Sequence, residues 1–218
     1  MGNNALISKG LNVSEFYYSS QKYFNQLILL TEGIANLLMD KGWKITSWYK
    51  GRPIYVSHWS WVDNRSTLTK GYSTRFEKEE NSNEKYGFSI WFFNSDPSGD
   101  QPWVPTAYFF RVSLETGKNF EDWHVDPKIA QVVRPTLLNP SIDFIFLQFS
   151  EPWPSQITGN GVDSMIRSIN IVPFPLVSIE NSEHLETITT KAVKALSEKE
   201  PNILRNDEEY LGLIGLQK

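Results

Sequence analysis

From Ser14 to Lys41 the apolar residues Phe16, Tyr23, Leu27, Leu30, Ile34, Leu37 and Leu38 recur at steps of three, four and seven, with Lys22, Glu32 and Asp40 between them. That spacing predicts a long amphipathic helix with one buried stripe. Ser14 is placed to cap its start, with Glu15 beside the positive end of the dipole. Gly42 can take the left-handed conformation that closes the other end.

Beyond Gly42 the pattern changes to β-rich runs, and 17 of the chain's 30 aromatic residues fall between Trp43 and Leu114. Strands are predicted near 43–50, 54–62, 67–76, 86–93 and 105–114. Lys50-Gly51-Arg52-Pro53 and Asp63-Asn64-Arg65-Ser66 read as turns, so neighbouring strands should pair antiparallel as a meander. Polar loops are expected at 77–85 and 94–104. From Glu115 to Ile142, Pro127, Pro135 and Pro140 should break any long element, leaving at most a short one around Ile129 to Val133.

Phe144-Ile145-Phe146-Leu147 is apolar on both faces, which predicts that 143–150 is a central strand. Pro173 and Pro175 should restrict the extended run 169–179 to an edge or an irregular segment. Leu185, Ile188, Ala192 and Leu196 predict a helix from Ser182 to about Lys199, ended by Pro201, and the apolar residues of the tail predict that it docks on the body. Helices at both ends of a block of antiparallel strands are the signature of a single α+β domain, with about five to seven strands.

Composition narrows the chemistry. The chain has no cysteine, which excludes disulfides, thiolate metal sites and thiol nucleophiles. It shows no secretory leader and no membrane span, so a cytoplasmic protein is expected. The net charge is −4, yet the stretch from Trp43 to Arg75 carries Lys44, Lys50, Arg52, Arg65, Lys70 and Arg75 against Asp63 alone. That segment is +5, so the rest sums to −9. The asymmetry points to an anionic partner met by a local basic surface.

Within the strand from Ile54 to Val62, alternation puts Tyr55, Ser57, Trp59 and Trp61 on one face. Large aromatics dominate cores, which favours the buried reading. If instead the opposite face is core, Trp59 and Trp61 are platforms beside Lys50, Arg52, Arg65, Lys70 and Arg75.

A metal site has one local candidate. On an extended segment Asp122, His124 and Asp126 project to the same side and could hold a divalent ion, although a three-residue match is weak and solvated loop residues explain it better. Thr116-Gly117-Lys118 lacks the earlier glycine and the following hydroxyl residue of a phosphate loop, and Gly159-Asn160-Gly161 reads as a turn. No nucleophile-elbow pattern occurs. The residues therefore point to a non-catalytic binding or accessory protein without a cofactor, whose partner is a nucleotide, a nucleic acid or an acidic protein surface. A metal-dependent hydrolase or nuclease and an obligate, oligomer-forming subunit are the rivals.

Overall fold

The computed structural model describes residues 2–48, 50–60, 67–78, 83–91, 105–115, 125–138, 141–150, 153, 157 and 166–216. Helix α1 spans Gly2–Asp40, and strands β1 (Lys44–Ile45), β2 (Tyr55–Ser60), β3 (Thr67–Glu77), β4 (Glu84–Trp91) and β5 (Thr106–Leu114) follow. Then come α2 (Val125–Leu138), a 3-10 turn at Ile142–Phe144, β6 (Leu147–Ser150) and β7 (Ile166–Phe174). The chain closes with α3 (Ser182–Glu198), α4 (Pro201–Arg205) and α5 (Glu208–Leu213). The result is an α+β fold on one antiparallel sheet, ordered β1-β3-β4-β5-β7-β6 with β2 also paired to β3.

Residue parity along the strands decides what each face of the sheet meets. Tyr72, Phe76, Tyr86, Phe88, Ile90, Ala107, Phe109, Val172 and Phe174 pack with Leu27, Ile34 and Leu38 of α1, with Ile188, Ala192 and Leu196 of α3, and with Tyr210 of α5. The alternate residues Trp91, Tyr108, Phe110, Val112, Ile169 and Ile171 pack with Ile129, Ala130 and Val133 of α2. The sheet is thus covered on both sides, which explains why β4 and β5 are buried almost throughout.

Several boundaries differ from those read in the sequence, each for a physical reason. Helix α1 starts at Gly2 and not at Ser14, which lies inside it, because no proline interrupts the twelve residues before it. The first two predicted strands do not form a hairpin with each other. Both pair with the long strand β3 on one flank, β1 opposite Phe76 and Glu77 and β2 opposite the run from Thr67 to Ser73.

Helix α2 has 14 residues where prolines were expected to prevent a long element. Pro127 falls in its first turn, where backbone N–H groups have no intrahelical acceptor in any case, and exposed Pro135 falls near its end. The Phe144-Ile145-Phe146 run is buried, but as a turn entering the core beneath α1 and α3, and β6 beyond it is the edge strand. Strand β7 is correspondingly interior, between β5 and β6. Pairing with β6 stops at Ile171, so one side of β7 carries no ladder by Pro173, and a residue without N–H is accommodated there.

Candidate functional site

The described basic residues of the Trp43–Arg75 stretch sit on β1, on the loop after it and on β3. Lys50 and Gly51 occupy a turn with positive φ at both residues (51° and 80°), on a loop that leaves the flank of β3 after Ser47 and returns at Ile54. Arg52 on that loop pairs with Glu32 of α1 at 3.3 Å. Arg75 is half-buried in β3, opposite Gly87, on the face of the sheet that carries Phe110 and α2. Lys70 is the residue skipped where the β2–β3 register shifts between the Ser57–Gly71 and His58–Thr69 pairs, a bulge that re-aims the strand.

Trp59 pairs with Leu68 across that ladder, while Trp61 and Arg65 lie outside the described residues. Whether the Trp59 and Trp61 face is core or platform therefore falls on side chains outside the described set. Two other aromatics of the stretch are core: Tyr72 and Trp43 pack beneath α1.

Of the metal candidate only the backbone of Asp126 is described. Val125 begins α2, so Asp126 lies in its first turn, while Asp122 and His124 lie outside the described residues. Among the described residues there is no group of three or more side chains able to hold a metal ion.

What the fold does bring together is a different basic site, where α1 ends, β1 begins and β3 finishes. The chain reverses there through a Schellman motif. Gly42 has φ 81°, its N–H reaches the Met39 carbonyl at 2.9 Å, and the Trp43 N–H reaches the Leu38 carbonyl at 2.9 Å. This motif needs an apolar contact between its two ends, and Leu38 and Trp43 supply it. Trp43 then packs against the stacked pair of Phe76 (ring centroids 5.2 Å apart, planes at 90°) and Tyr86 (4.9 Å, 69°).

Helix α3 forms the opposite wall. It is capped by Asn181, whose side chain accepts from the His184 N–H at 2.9 Å. Its apolar stripe faces the sheet, which leaves Thr190, Lys194, Ser197 and Glu198 along the groove. Between the walls lies a cavity of about 390 Å³ lined by Lys41, Lys78 and Lys194, with Leu38, Trp43, Val193 and the α3 hydroxyls.

Among the described lining residues, three ammonium groups stand against one carboxylate, Glu198, a charge of +2 in a chain of −4. Lys41 also lies 3.7 Å from Glu186. The Lys78 ammonium sits 5.0 Å from the centre of the Trp43 ring. Lys194 has no ion pair among the described residues.

The groove wall is held rigidly from behind. Ser197 hydrogen-bonds the Tyr86 phenol, and Tyr86 donates to Glu84 Oε2 at 3.0 Å. Glu84 in turn pairs with the buried guanidinium of Arg111. Burial pushes the Tyr86 phenol up, only partly offset by Ser197, so it stays protonated and keeps donating. No family model, curated protein or solved structure is similar enough to this chain to count as a match.

Lys41, Lys78 and Lys194 could not be found as a motif, because they come from three distant parts of the sequence. Only Lys41, beside the predicted helix end at Gly42, and Lys194, on the polar side of the predicted C-terminal helix, carried a positional hint. No helix among the described residues is long and apolar enough to cross a membrane.

Proposed function

We propose that this protein works by binding, without catalysis, and that it holds a small anionic ligand in the groove between the end of α1 and α3. The observation that carries this reading is the convergence of Lys41, Lys78 and Lys194 on one cavity of about 390 Å³, a size that suits a small molecule. Lysine presents a compact point charge with rotatable donors, which suits a tetrahedral oxyanion such as a phosphate. The hydroxyls of Thr190 and Ser197 supply further donors, and the lining contains no histidine to act as a base near neutral pH.

Calorimetric titration with inorganic phosphate and pyrophosphate tests this directly. Binding should weaken as salt rises from about 20 mM to about 300 mM, as screening of exposed charges requires. Replacing Lys41 and Lys194 together by Gln should lower affinity about tenfold or more for each lysine removed, the worth of one charge-assisted hydrogen bond. Arg52→Gln should leave it unchanged, since that guanidinium is paired with Glu32 on the flank loop. Equal affinity in the lysine variant and the wild type would exclude the groove as the site.

A further inference from the structure

Resting on that reading, we infer that the anion carries a flat aromatic group, as a nucleoside monophosphate does, and that Trp43 is the surface on which this group stacks. The indole is only 9% exposed, and its plane is set by Phe76 and Tyr86 packed against it at steep angles. The Lys78 ammonium, on an exposed side chain, covers the ring from 5.0 Å. Lys78 therefore has two possible partners in the same cavity: the π-face it now covers, or an anion held by Lys41 and Lys194.

An incoming phosphate draws Lys78 toward itself and vacates the ring. An exposed cation–π contact contributes about 2- to 5-fold in an equilibrium, whereas stacking a base on an aromatic side chain contributes about 5- to 150-fold, so the exchange favours a ligand that brings its own ring. Helix α3 presents the polar complement to such a ligand. Thr190, Lys194, Ser197 and Glu198 follow one another at helical spacing along the lining. The Thr189 hydroxyl beside them is 1% exposed and has no hydrogen-bond partner among the described residues, which leaves polar capacity unused at this wall.

The comparison that tests this uses the full chain with adenosine 5′-monophosphate, ribose 5-phosphate and inorganic phosphate, followed by calorimetry and tryptophan fluorescence. Adenosine monophosphate should bind at least about fivefold more tightly than ribose 5-phosphate, the lower limit for a stack, and it alone should quench tryptophan emission. Lys78→Gln, at an exposed position, should weaken both organic phosphates while preserving their ratio, because it removes the cap and one phosphate contact but leaves the ring. If the two organic phosphates bind equally, or neither changes the fluorescence, the stacking inference fails while the anion site stands. If none of the three compounds binds, the anion site itself is wrong.

Discussion

Arg111 and Glu84 form an ion pair inside the sheet: the guanidinium is 2% exposed and donates from Nε to Glu84 Oε2 at 2.8 Å. Its Nη1 reaches Asn170 Oδ1 at 3.2 Å, so one side chain links β4, β5 and β7. Burial pushes the Arg111 guanidinium down from its ordinary value, and the Glu84 carboxylate is what keeps a charge tolerable there. Glu84→Leu should destabilise the protein by about 3–5 kcal/mol, because it strands a buried cation. The double variant Arg111→Met, Glu84→Leu should be more stable than Glu84→Leu alone. Urea melts giving strictly additive losses would show that the two side chains are not coupled.

Gly87 is required by its neighbour. A Cβ at this position would lie 2.3 Å from Cζ and 2.4 Å from Cε1 of the buried Phe110 ring. Gly87→Ala should therefore cost about 1–3 kcal/mol through overpacking, with much of the loss recovered when Phe110 is also shortened to Leu. Thermal unfolding of the single and double variants checks this, and an Ala variant as stable as the wild type would refute it.

The pair Lys191 and Asp207 should give stability a defined pH dependence. The Lys191 ammonium donates to both Asp207 oxygens at 2.7 Å, and Asp207 also caps α5 by accepting from the Tyr210 N–H at 3.0 Å. Burial alone would raise the Asp207 carboxyl, but the Lys191 and Tyr210 hydrogen bonds outweigh it and hold the group below its ordinary 3.8. The contribution is thus present above that ordinary value and lost as pH falls through the depressed one. Burial would lower Lys191, yet Asp207 and Glu209 hold it above 10.5, so its contribution is present below 10.5 and lost as pH rises through the raised value. Asp207→Asn keeps a good cap, so it should remove about 1 kcal/mol or less and flatten the acid limb of melting temperature against pH. Parallel wild-type and variant curves would mean that the pair contributes nothing.

Limited trypsin digestion should distinguish two lysines that look equivalent in the polar run between β3 and β4. Lys85 belongs to β4 between two paired strands, and its ammonium lies 2.5 Å from Glu77. Lys78, past the end of β3, is exposed. Cleavage after Lys78 should precede cleavage after Lys85. Mass spectrometry of the first fragments would detect the reverse order, which would contradict the register of β4.

The elements legible in the sequence are those whose burial is one-sided or complete over a continuous run. The stripe through Leu27, Ile34 and Leu38, the capping Gly42, the strands ending in Phe76 and Leu114, and the helix from Ser182 all match closely. Elements whose evidence depended on tertiary context were not legible. Prolines at 127 and 135 were tolerated by their positions in α2, and the apolar run at Phe144 reported a turn into the core and not a central strand. The basic stretch was visible as composition, and its described members lie on β1, the flank loop and β3. The lysines that do converge come from a helix end, a strand end and the middle of a second helix.

The order in which this architecture is synthesised has its own consequence. The contact between Arg111 and Asn170 closes a separation of 59 residues, so the β5–β7 seam forms only after the intervening segment is made and its loop-closure entropy has been met. Helix α1, made before the sheet, shares its core with Ile188, Ala192 and Leu196 of α3, which is made after it. On the ribosome, Leu27, Ile34 and Leu38 can meet β3 and β4 as these form, but the part of the stripe that packs on α3 stays uncovered until the chain passes Ser182, and a nascent chain stalled before it would present that part to its neighbours.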